Sequence, residues 1–157
     1  MKSSSESKDG QLYVPLKLLC VLSLLGFVYC ISNDTSHWVF FNHPEELKSN
    51  QEAYESMETL KENWLDQGLV FGDDTREKLV KFYLVRAIID VLALLGVALM
   101  NFKLKKGFVI YAVFQIAYVA SPFFFLDEFA TVFVPLTWSI VHLVYIFLFY
   151  SQYKKLN

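Results

Sequence analysis

Arg86 and Asp90 stand inside KFYLVRAIIDVLALLGVALMNF, residues 81 to 102, a run otherwise apolar enough to be one hydrophobic helix. Two opposite charges in such a run can pair, can fix helix register, or can carry protons. At 1.5 Å per residue, Arg86 falls about 10 Å from the outer end of its helix and Asp90 about 17 Å, near the midplane. Arg86 can reach outward along its own stem. Asp90 cannot. An ionised aspartate at that depth costs about 3 kcal/mol on insertion scales, so Asp90 needs a partner or a proton.

Two further residues fall at the same level. Gln115 and His142 each lie near the middle of a later apolar run. Helical spacing puts Tyr83, Arg86, Asp90, Ala93 and Val97 on one face, and Tyr111, Gln115, Tyr118 and Pro122 on another. A third face carries Thr131, Pro135, Trp138, Ser139, His142 and Tyr145. Three helices each with one polar stripe should turn those stripes toward each other and away from lipid. Arg86, Asp90, Gln115 and His142 are therefore expected to meet in one intramembrane cluster. It would serve either to hold the helices in register or as a proton relay or substrate site.

The elements that must position them follow from composition. The chain is 55% hydrophobic and 17% aromatic, too apolar for an ordinary soluble domain. A bilayer core of about 30 Å needs roughly 20 apolar residues of helix. Four stretches satisfy this: 13–32, 79–102, 107–126 and 129–150. The first could be a signal peptide, but it is long and no small-residue cleavage site follows, so it reads as an uncleaved helix. Its Cys20 and Cys30 are about 15 Å apart along the helix and cannot bridge each other.

Lysines sit in the tail 1–12, in the KLKK turn at 103–106 and in the tail 151–157, whereas the segment 33–78 is acidic. Basic segments stay cytoplasmic, so both termini are expected inside. Within 33–78, residues 44–66 read as an amphipathic helix. Pro44 suits its first turn, and Leu47, Tyr54, Met57, Leu60 and Trp64 form one apolar stripe. That stripe would pack on the bundle or dock a partner. Asp74 is placed to cap the next helix, with Glu77 three residues on. The tripeptide at Asn33–Thr35 matches a glycosylation signal but lies at the membrane edge.

The expected fold is all-α, a four-transmembrane-helix bundle with an amphipathic helix in the long first external loop. The stretch NFKLKKGFVIYAVFQIAYVASPFFFL, from Asn101 to Leu126, resembles a pattern of small uncharacterised integral membrane proteins of Bacteroidota, over residues 79 to 157. The resemblance implies a four-helix protein of the bacterial inner membrane and assigns no catalytic residue. No H-E-x-x-H, G-x-S-x-G, phosphate loop or G-x-G-x-x-G occurs. His37 and His43 lack the clustered acids of a metal site. Neither a cofactor nor nucleic acid is implied, and the lipid bilayer is the expected partner, with another membrane protein or a second copy beside it. The function expected first is that of a non-enzymatic accessory or scaffold subunit. The alternative is a small oligomeric proton-coupled transporter or channel component using Asp90 and His142.

Overall fold

The computed structural model describes residues 14–43, 48–68, 72–126 and 136–156. Among these the chain is all-α, with no strand. The helices are α1 (Val14–Asn42), α2 (Gln51–Asp66), α3 (Asp73–Asn101), α4 (Lys105–Phe125) and α5 (Leu136–Gln152), followed by a 3-10 turn at Tyr153–Lys155. α1, α3 and α4 are long and apolar enough to cross a membrane. Their outward faces carry Leu25, Ile88, Val113 and Phe124, all exposed. A continuous apolar exterior of this kind is stable only against lipid or another apolar surface.

The helices run up and down. Leu16, Met100, Tyr111 and Phe149 share one core cluster, which brings together the start of α1, the end of α3, the first turns of α4 and the end of α5. Phe41, Trp64, Phe82 and Leu126 share a second cluster at the opposite end, where α2 is seated. α3 packs on both α4 and α1, and α5 lies mainly against α4.

α3 and α4 touch backbone to backbone. A Cβ added at Gly96 would stand 2.7 Å from the Tyr111 nitrogen, and one at Gly107 would stand 2.6 Å from the Gly96 oxygen. Only a residue without a side chain fits at either position, which is how small residues let apolar helices approach. The turn between them is equally tight. Lys103 has φ 66, its N–H donates to the Met100 oxygen, and the Leu104 N–H donates to the Leu99 oxygen. This pair of bonds satisfies the last carbonyls of α3, with Lys103 in the position that glycine usually takes. A left-handed non-glycine residue costs about 1–2 kcal/mol. Lys103→Gly should therefore raise stability by up to about 1 kcal/mol, read as a higher melting temperature in detergent.

Several element boundaries differ from those the sequence suggests. α1 does not stop at residue 32 but runs ten residues further, to Asn42. Its polar residues do not force an exit, because Asp34 and His37 face the bundle and are buried. Ser36 and His37 also return hydrogen bonds to the Ser32 and Asn33 carbonyls within the helix. The Asn33–Thr35 tripeptide thus lies within a helix. α2 begins at Gln51, where the Asn50 side chain accepts the Ala53 N–H at 3.2 Å and so caps it. α3 begins six residues earlier than 79; Gly72 is its cap, and Asp74 lies inside the first turn, 3.2 Å from Lys78. α4 and α5 end one residue before and two residues after the expected positions 126 and 150. The tail 1–12, residues 44–47 (Pro44 and the stripe residue Leu47 among them), and residues 129–135 at the start of the expected fourth span lie outside the described residues.

Candidate polar site in the bundle

α3 supplies Arg86 about 20 Å along its length, and its partner lies on a different helix. The Arg86 Nε stands 3.2 Å from Asp34 Oδ2, on α1. Asp34 is fully buried. The guanidinium is also held by rings: its carbon lies 4.1 Å from the Tyr118 centroid and 5.0 Å from that of Phe82. A desolvated contact between an arginine and an aromatic face contributes about 2 kcal/mol. Arg86 therefore stays inside the bundle instead of reaching for the surface, because charge and ring partners surround it there.

Asp90, one turn further along α3, is likewise fully buried. Neither of its oxygens has a hydrogen-bond partner among the described residues. It feels the charges of both Asp34 and Arg86, but Asp34 is the acid in contact with the guanidinium. The pair that forms is Arg86–Asp34 across two helices, not Arg86 with Asp90 on its own helix, which leaves a second carboxyl group inside the bundle. An ionised carboxylate without donors would bear several kcal/mol of uncompensated desolvation.

The other two cluster residues do meet. His142 on α5 bonds through Nδ1 to the Oε1 of Gln115 on α4. An amide oxygen only accepts, so Nδ1 is the donor and Nε2 is left as an acceptor. The His142 ring also packs 4.7 Å from that of Tyr118. Tyr118 thus stands between Arg86 and His142 and joins the two polar pairs into one network across α1, α3, α4 and α5. The Tyr118 backbone is secured as well. Pro122, four residues on, has no N–H to give its carbonyl. The Ser121 hydroxyl donates to that oxygen instead, at 2.8 Å.

An aromatic cap closes one end of the site. His37 donates through Nδ1 to the Asn33 oxygen at 2.8 Å. Its ring stacks on Tyr83 at 4.6 Å and more distantly on Trp64 at 6.3 Å. Trp64 belongs to α2, whose Tyr54, Met57 and Leu60 pack on the same cluster. The apolar stripe of α2 is spent on the chain's own bundle. Arg76, in the first turn of α3, donates to the Phe41 oxygen at 2.7 Å and to that of Asn42 at 3.4 Å. It occupies carbonyls that the end of α1 leaves without helical partners.

Of the four residues expected to cluster, Gln115 and His142 bond directly, Arg86 joins them through Tyr118, and Asp90 bonds to none of them. Asp34 was missed. One signal could have revealed it: Asp34, His37 and Phe41 continue the inward face of Cys20, Ser23 and Phe27 at helical spacing. No cluster of metal-ligating residues occurs among those described. No protein-family model, curated protein or solved structure matches the chain.

Proposed function

We infer that the chain is a four-span integral membrane protein of the bacterial inner membrane, with both termini cytoplasmic, that binds and releases protons at Asp90 as a small oligomeric proton-coupled transporter or channel component. The observation that carries this reading is the second carboxyl group, fully buried and without a hydrogen bond among the described residues, on the helix whose arginine pairs with another acid. A group serving only to fix packing would be expected to have donors aimed at it. Titratable residues at membrane depth are the groups proton pathways use. His37 and Asp34 on α1 and Asp90 on α3 are buried titratable groups of the same bundle.

A second reading, a non-enzymatic accessory or scaffold subunit, is favoured by the Asp34–Arg86 pair, which ties α1 to α3 as a register-fixing ion pair would. The packed stripe of α2 takes away the docking face that this reading would have used.

Proton exchange at Asp90 is testable without a known substrate. Infrared difference spectra across a pH titration should show the C=O stretch of a protonated carboxyl that is missing in Asp90→Asn. In vesicles under a potassium diffusion potential, the parent should move protons at least tenfold faster than Asp90→Asn, with equal melting temperatures for the two. Equal rates, or an unchanged infrared band in Asp90→Asn, would refute the proton reading and leave the scaffold one.

A further inference from the structure

Charge is divided between the two ends of the bundle. Among the described residues no acid precedes Asp34 on α1, none follows Asp90 on α3, and none lies on α4, α5 or the turn at Tyr153–Lys155. One end gathers the start of α1, the end of α3, the start of α4 and the end of α5. It carries Lys17, Lys103, Lys105, Lys106 and Lys154, all exposed. No side-chain carboxylate of the described residues stands there to neutralise them. At the opposite end the lysines of α3 have acids at hand: Lys78 meets Asp74 and Lys81 meets Glu77.

Two helices meet within the basic patch. Lys105 Nζ lies 5.8 Å from the Tyr153 ring centroid, within reach of a cation–π contact. Phe108 packs against the rings of Tyr153 and Tyr150 at 5.3 and 6.0 Å. The start of α4, with Lys105 and Lys106, and the end of α5, with Lys154, therefore form one edge. Along α4 from Lys105, an exposed apolar line of Val109, Val113 and Ile116 follows at helical spacing. From Lys105 to Ile116 is about 17 Å of helix, close to the roughly 15 Å of hydrocarbon in one leaflet. A soluble anion would satisfy the lysines and leave this line bare. A zwitterionic lipid would cover the line but bring its own cation to the lysines. An anionic head on an acyl chain answers both features, and basic pockets between spanning helices take such heads.

We propose that this edge binds an anionic phospholipid, its phosphate held by Lys105, Lys106 and Lys154 and an acyl chain laid along Val109, Val113 and Ile116. The proposal rests on the reading of the chain as a membrane bundle and is independent of proton exchange at Asp90. Lysine suits the task, as a flexible point charge that can gather on a phosphate from two helices.

Native mass spectrometry of the full chain released from detergent micelles counts bound lipids and tests the site. The parent should bind its first dioleoylphosphatidylglycerol at least about tenfold more tightly than dioleoylphosphatidylcholine, and the preference should shrink as ionic strength rises. The triple variant Lys105→Gln, Lys106→Gln, Lys154→Gln should bring the two lipids to within about twofold of each other. Lys81→Gln, at the opposite end, should keep the parent's preference. Equal affinities in the parent, or an undiminished preference in the triple variant, would overturn the site. Displacement of the lipid by millimolar glycerol phosphate, the head without its chains, would overturn the lipid as occupant and leave a soluble anion in its place. The lipid preference standing while the Asp90 infrared band is missing would refute proton exchange alone; the reverse pattern would refute the lipid site alone.

Discussion

Asp34→Ala should destabilise the bundle by about 3–5 kcal/mol, the range found when one partner of a buried ion pair is removed. The loss arises mainly from Arg86. Its guanidinium is held against Tyr118 and Phe82, with 14% of its side chain exposed, so it cannot move to water to recover its hydration. The double variant Asp34→Leu with Arg86→Leu should regain much of the loss, because both desolvation costs disappear together. Asp90→Leu is the informative contrast. Asp90 has no hydrogen bond to lose among the described residues, so this change should be neutral or slightly stabilising. Reversible unfolding in mixed micelles reads all of these changes. Asp34→Ala and Asp90→Leu losing equal stability would show that Arg86 is shared between the two acids and would sink the assignment of the pair.

Gly96→Val should cost more than about 3 kcal/mol, above the usual range for an overfilled core. The obstruction is backbone, not side chain: the first added carbon would meet the Tyr111 nitrogen at 2.7 Å and the Gly107 oxygen at 2.9 Å. Neither can swing away as a side chain would, so α4 must withdraw along its length. That withdrawal would carry Tyr111 and Gln115 with it, and the His142 bond should loosen in the same variant. Gly26→Val, in open space, should be tolerated. Comparable melting temperatures for Gly96→Val and Gly26→Val would contradict the contact between α3 and α4.

Arg86, Gln115 and His142 were legible in the sequence because each interrupts an apolar run at a depth where a polar group must have company. The stripe of Tyr54, Met57, Leu60 and Trp64 was legible for a similar reason, since its period matches a helix with one buried side. Asp34 was not. It follows Ser32 and Asn33 where apolar character gives out, and a run of polar residues there looks like an exit from the membrane. Helical spacing puts it on the inward face of α1, but its pairing depends on Arg86, which lies 52 residues away. The start of α2 was misread because Pro44 is an attractive first-turn residue, whereas Asn50 supplies the actual cap. Gly96 and Gly107 carry no signal of their own; a glycine is informative only once the backbone opposite it is known.

The Asp34–Arg86 pair also sets a condition on biosynthesis. Asp34 leaves the ribosome about fifty residues ahead of Arg86, a delay of several seconds at ~5–20 residues per second. For most of that interval the acid has no counter-charge and Arg76, which emerges ten residues before Arg86, is not yet at the end of α1. The last turns of α1 must wait in the polar headgroup layer. They can settle against the bundle only when α3 emerges, which makes capture of the first helix by the third a late event in membrane insertion.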